Sequence, residues 1–345
     1  MGTRGFFHKI STRLLCAAAL LPAACVFGAA PRAHAQDDDT VRVESSLVLL
    51  NVGVADRHGR AVTDLGRGDF VVYEDGVRQN ITSFEPTSAP FSLVILLDTS
   101  GSTLSFRTTL KQAAVRFVDA LAPDDRIAVV SFNEKAKTLQ SFTTNRKKVG
   151  FAIRELAEGR GQTSLFKGIR HALAALAGEG SRRKAVVVIT DGKDSELERS
   201  DRAAATTSGT GAQPVAAPKP ESSAPLRAAL DMADRQGVTV YPLALPSGDL
   251  RLVHDPTPQQ VAVYTAARAR LQELANRTGG RLHVINRLEE MGRLYAEVAA
   301  DMRTLYTITY QPAGERKRAG AWRAINIEVS RAELIARTRP GYYSR

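Results

Sequence analysis

The chain has 345 residues, 43% of them hydrophobic, which is enough to bury a large core and to build more than one domain. Its formal charge of +11 comes from basic residues scattered along the sequence. They match no nucleic-acid-binding motif, so they read as a solvated basic surface. Both cysteines, Cys16 and Cys25, fall in an N-terminal segment of export-signal type. A chain cleaved after that segment has neither disulfides nor thiolate metal sites.

That segment spans residues 1–35: Arg4, Lys9 and Arg13 lead, a Leu/Ala-rich run follows from Leu14 to Ala30, and Ala33-His34-Ala35 closes it. The small residues predict cleavage after Ala35, and hence a secreted or periplasmic protein with no transmembrane anchor. Pro22 interrupts the run and stands where a lipobox before Cys25 needs an aliphatic residue, which argues against a lipid anchor. The acidic stretch Asp37 to Thr40 then begins the mature chain as a loose terminus.

Val41 to Val54 predicts one or two strands, with a turn at His58-Gly59. Phe70 to Tyr73 and Ile81 to Phe84 predict two more, joined through the hairpin signal Asp75-Gly76. Residues 36–88 are too few to bury a good core alone. The end of the chain, 303–345, supplies what is missing. Leu305 to Tyr310, Arg323 to Ser330 and Leu334 to Arg337 are strand-like, with a polar turn at Gly314 to Gly320. Pairing of 303–345 with 41–86 predicts one sandwich-like, β-rich domain interrupted by residues 89–302.

The interrupting segment alternates strands and helices as a doubly wound α/β sheet requires. Phe91 to Ser102, FSLVILLDTSGS, joins an unbroken apolar strand to Asp98 and a Ser-rich turn. Asp98, Ser100 and Ser102 sit at the carboxyl end of that strand, where open α/β sheets bind ligands. One carboxylate and two hydroxyls form a hard, all-oxygen half-shell suited to Mg²⁺ or Mn²⁺. A helix is predicted over Thr103 to Leu121, a strand at Arg126 to Phe132, an edge strand at Thr138 to Phe142 and a helix from Asn145 to Ala157. Gly161-Gln162-Thr163-Ser164 opens the next helix, to Ala177, and offers the Thr163 hydroxyl. Lys184 to Asp191, KAVVVITD, is a second buried strand ending in an acid.

Glu198 to Pro225 is rich in Ala, Ser, Thr, Gly and Pro and predicts a disordered insertion. Helix Leu226 to Gln236, strand Val238 to Leu245, an irregular stretch to Pro258, helix Gln260 to Thr278, strand Leu282 to Ile285 and helix Leu288 to Met302 complete the pattern.

The combination of DTSGS, Thr163 and Asp191 resembles the von Willebrand factor type A domain, whose metal-ion-dependent adhesion site is DxSxS, a Thr and an Asp after a later strand. The resemblance covers roughly residues 90 to 301, and the flanks LGRGDFVVYEDGVRQNITSF and RPGYY are similar to those of bacterial secreted VWFA-related proteins. It implies a Rossmann-like fold and a metal held by Asp98, Ser100, Ser102, Thr163 and Asp191, the two acids acting largely through water. It also implies a sixth position open to a carboxylate of a protein partner. A binding or adhesion module follows, with an envelope scaffold braced by the metal, or a metal-assisted hydrolase, as the alternatives. The enzyme reading finds little in the residues. LLDTSGS carries Ser100 where an aspartic protease has Gly and a haloacid-dehalogenase-like phosphatase has a second Asp, and GxSxG, HExxH and Walker patterns are missing.

Overall fold

The structure is a computed structural model that describes residues 47–156, 159, 161–180, 182–207, 219–313 and 320–344. The export segment, the acidic stretch after it and most of the turn at 314–320 lie outside the described residues. The first strands are β1 (Val48–Ala55), β2 (Phe70–Glu74), β3 (Val77–Gln79) and β4 (Ile81–Glu85). The α/β part follows with β5 (Phe91–Asp98), α1 (Arg107–Ala120), β6 (Arg126–Phe132), β7 (Ala136–Thr143), α2 (Arg146–Arg154) and α3 (Leu165–Ala177). It continues through β8 (Arg183–Thr190), α4 (Ser195–Thr207), α5 (Ala224–Gln236), β9 (Val238–Ala244), α6 (Pro258–Arg277), β10 (His283–Val284) and α7 (Met291–Arg303). Four strands close the chain: β11 (Leu305–Tyr310), β12 (Trp322–Val329), β13 (Ile335–Arg337) and β14 (Gly341–Tyr343).

The central sheet has six strands in the order β10-β9-β8-β5-β6-β7, parallel except for the antiparallel edge strand β7. Every residue of β5 and of β8 is buried, as expected for strands covered on both faces. Because successive side chains point to opposite faces, Leu93, Ile95 and Leu97 pack in the core shared with α1, α2 and α7. Val94 and Leu96 pack in the other core, with α3, α5 and α6. Each such side chain stabilises the fold by about 1.5–3 kcal/mol relative to exposure. β5 lies between β6, which follows it in sequence, and β8 on its other side. This reversal of strand order opens a crevice at the carboxyl ends of β5 and β8.

Strands from the two ends of the chain pair with each other. β1 runs antiparallel to β11 in a sheet ordered β13-β1-β11-β4, and β2 runs antiparallel to β12 in a sheet ordered β14-β12-β2-β3. Leu50, Val52, Tyr306 and Ile308 from the first sheet share one core with Phe70, Val72 and Ile325 from the second, so the two sheets form a sandwich. Asn51 ties the sandwich to the α/β part by donating to Gly237 O at 3.0 Å and Thr239 Oγ1 at 2.8 Å. Arg339 binds Asp234 at 2.8 Å across the same junction, and the described residues form one compact unit.

Three expectations are corrected. The Asp75-Gly76 hairpin joins β2 to the short β3, whereas Ile81–Glu85 crosses to the other sheet and pairs with β11. The stretch after Ser102 begins as a 3₁₀ turn, Gly101–Phe106, and becomes α-helical only at Arg107, because Thr103 Oγ1 lies 3.0 Å from the Asp98 and Ser100 carbonyls and tightens the entry. Part of the expected disordered insertion is ordered: Ser195–Thr207 is the helix α4, held by a buried ion pair in which Arg270 of α6 meets Asp201 at 2.6 and 2.8 Å. Residues 208–218 lie outside the described residues. Beyond these, RPGYY adds a strand, β14, beside β12.

Candidate metal centre

Asp98 ends β5 fully buried, and its carboxylate organises the turn that follows. Oδ1 accepts the Ser100 N–H at 2.9 Å, and Oδ2 accepts the Thr190 hydroxyl at 2.7 Å. The Thr190 Oγ1 in turn accepts the Gly192 N–H at 3.0 Å, so one hydroxyl links the turns after β5 and β8. The Ser100 and Ser102 hydroxyls stand 3.2 Å apart, Ser100 buried and Ser102 exposed at the mouth.

Asp191 follows β8 and is 2% exposed. Its Oδ1 accepts the Lys193 N–H at 3.1 Å. Its Oδ2 is buried and makes no hydrogen bond; the Lys193 ammonium lies within ion-pair range at 3.4 Å but does not meet hydrogen-bond geometry. The same ammonium sits 3.4 Å from the Tyr264 hydroxyl and 4.8 Å from the centre of its ring.

Burial, and then the negative charge of Asp191, push the Asp98 carboxyl up from 3.8 to about 6, despite the bonds from Ser100 and Thr190. Burial works against the charge on Lys193, but Asp191 and Tyr264 outweigh it and its pKa is raised. Two buried carboxylates that repel each other, one with an orphaned oxygen, beside two hydroxyls, make a site that fits a hard divalent cation. Among the described residues no cluster of three or more His, Cys, Asp or Glu occurs; this set has two carboxylates and otherwise hydroxyls.

Thr163 is 6% exposed in the loop before α3. Its N–H donates to Ser195 Oγ and its carbonyl accepts the Ser195 N–H, both at 2.9 Å, while the next residue donates to the Asn133 carbonyl at 2.8 Å, just past β6. Asp98, Ser100, Ser102 and Asp191 are thus brought together by direct bonds and charge. Thr163 is held at the same edge of the sheet through the start of α4.

The residues that the motif did not mark are the supports. A Cβ on Gly159 would lie 2.0 Å from the Thr99 carbonyl oxygen, and one on Gly248 would lie 2.0 Å from that of Asp191, so only glycine lets these loops approach the two turns. Asp194 caps α4 and also reaches the Phe166 N–H of α3 at 3.4 Å. A glycine inside a loop carries no local signal of what it will pack against; the acid immediately before a helix does, as a cap.

Residues 93–193 match the family model for the von Willebrand factor type A domain, a span that contains all five candidate ligands. The chain carries a von Willebrand factor type A domain. Such domains are in general protein-interaction modules and commonly hold a divalent metal at a site of this kind. The voltage-dependent calcium channel subunit alpha-2/delta-2 of Homo sapiens is 29% identical over 136 residues, 35% of this chain. The matched region spans only 12% of that relative's length. Among solved structures, a von Willebrand factor type A protein from Catenulispora acidiphila is similar, with 14% identity, 88% of this chain and 74% of that one covered, and a TM-score of 0.45. Another is proximal thread matrix protein 1 from the mussel byssus with a zinc-occupied MIDAS motif, at 14% identity, 66% and 49% coverage and a TM-score of 0.45.

Proposed function

We propose that this protein is a metal-dependent binding module: Asp98, Ser100, Ser102, Thr163 and Asp191 hold Mg²⁺ or Mn²⁺, and a partner protein binds there through an Asp or Glu carboxylate. The observation that carries the reading is the buried, mutually repelling pair Asp98 and Asp191, with Asp191 Oδ2 lacking a hydrogen-bond partner. A divalent cation when bound would relieve that repulsion and offer an open position to a carboxylate. In this reading Asp98 orients the Ser100 backbone and, through Thr190, couples the two turns; Asp191 supplies the second charge; the exposed Ser102 lines the entrance.

Binding rather than turnover is favoured because the described histidines with polar contacts are engaged elsewhere. His171 meets Thr138 at 2.9 Å, His283 lies 3.8 Å from Glu297, and His254 is with Asp255 at the surface. No helix among the described residues is long and apolar enough to cross a membrane. Export rests on the sequence of residues 1–35, and intact-mass measurement of the exported protein, expected to begin at Gln36, tests it.

The binding reading is tested by calorimetric titration of Mg²⁺ and Mn²⁺ into the purified chain, followed by capture of native partners with and without chelator. Saturable cation binding, and partner capture lost in chelator and in Asp98→Ala, are expected. Partner binding unchanged by both treatments would overturn the reading. Cation binding that only raises stability, with no partner dependent on it, would leave a scaffold braced by metal.

A further inference from the structure

β7 is the open edge of the central sheet, and none of its eight residues is buried. Between its middle and the outer face of α2 runs a groove of about 550 Å³. Leu139 of β7 and Ala152 and Phe151 of α2 supply its apolar surface; Lys147 and Lys148 stand on the same helix. Phe151 is 63% exposed, a large apolar side chain in water on a helix whose other face, Val149 and Ile153, is fully buried. Among the described residues neither Lys147 nor Lys148 has an acidic partner in an ion pair. Over residues 135 to 155 the chain carries Lys135, Lys137, Arg146, Lys147, Lys148 and Arg154 against Glu155 as the one acid.

These features select one kind of occupant. An edge strand offers unpaired backbone groups to an extended segment, and an aromatic anchor beside an apolar floor offers a pocket for one bulky side chain. The surrounding charge favours acids in that segment and repels a second copy of this edge, which would set lysine against lysine. Two register irregularities in the pairing of β7 with β6, beside Val129, also break the flat template that self-association would need. We infer that the groove between β7 and α2 is a second docking surface that takes an extended acidic peptide segment carrying one bulky apolar side chain. It lies two strands away from β5, so it is separate from the metal centre and goes beyond that reading.

The test uses a labelled ten-residue peptide of alternating Glu and Val with a central Phe, and a control in which every Glu is Lys. Both are titrated against the full chain in excess chelator, which keeps carboxylates from being held by a cation at Asp98, and fluorescence anisotropy is read. Saturable binding of the acidic peptide that weakens with salt is expected, with no binding of the basic one. Phe151→Ser, and separately the pair Lys147→Glu and Lys148→Glu, should each weaken it at least tenfold, while Asp98→Ala should not. Both variants alter exposed side chains, and an unchanged thermal transition verifies the fold. No saturable binding up to about 1 mM, equal binding of the basic peptide, or binding indifferent to Phe151 would overturn the inference. So would a solution dimer of the wild-type chain dispersed by Phe151→Ser, which would make this face a self-interface.

Discussion

Asp98→Asn should make the metal-free protein more stable while abolishing its response to divalent cations. Burial and the charge of Asp191 hold the Asp98 carboxyl at about 6 instead of 3.8. The sign follows from linkage. Below pH 3.8 the group is protonated folded and unfolded, and no penalty exists. As pH rises from 3.8 to 6 the unfolded chain releases its proton while the folded one keeps it, so stability falls, and above pH 6 the whole penalty is present. At 1.36 kcal/mol for each tenfold change, that penalty is about 3 kcal/mol. Asparagine keeps the neutral shape: its carbonyl oxygen can accept the Ser100 N–H and its amide can donate to Thr190 Oγ1. Urea unfolding in chelator at pH 7.5 should then favour the variant by about 1–3 kcal/mol, with little difference at pH 3.5. Adding cation at a hundredfold excess over its dissociation constant should raise the wild type by about 2.7 kcal/mol and leave the variant unmoved. A variant no more stable than wild type in chelator at pH 7.5, or stabilised by cation to the same extent, would refute the charge argument.

Lys193→Met removes an ammonium 3.4 Å from Asp191 Oδ2 that competes with any cation there, and should tighten Mn²⁺ binding about tenfold by calorimetry; Lys193→Arg should not. Gly248→Ala sets a methyl group 2.0 Å from the Asp191 carbonyl oxygen, so the turn must shift. Loss of such support should weaken Mn²⁺ about 10- to 100-fold, and an unchanged titration would show that the loop yields instead. His283 has its pKa lowered, first by burial and then by Arg281, and also by Arg337, against Glu297 and Asp301. Its neutral form is favoured in the fold, so that stability is present above pH 6.5 and is lost as pH falls through the lowered folded value. His283→Gln should flatten the fall of the urea midpoint as pH drops below 6.5, and an unaltered slope would contradict this.

The sequence by itself determined the two strands that carry the acids and the order of the elements around them. β5 and β8 are apolar throughout and end abruptly in carboxylates, and hydrophobic runs of that length are a local property that folding does not alter. The helices α3, α5 and α6 were legible for the same reason, from apolar spacing and clear stops such as Gly237, which takes φ +61°. Asp98, Ser100 and Ser102 could be grouped because they are neighbours in one turn.

Only the tertiary structure decided what depends on distant residues. Ile81–Glu85 follows the hairpin turn closely, yet its partner is β11, more than 200 residues away, because burying Phe84 against Tyr306 outweighs local pairing. α4 has a composition that reads as loop, and its order comes from Asp201 meeting Arg270 and Leu197 entering the core beneath. Gly159 and Gly248 against the two turns are likewise invisible in sequence. Their roles are set by a loop arriving from elsewhere in the chain, and no local pattern encodes which backbone will be its neighbour.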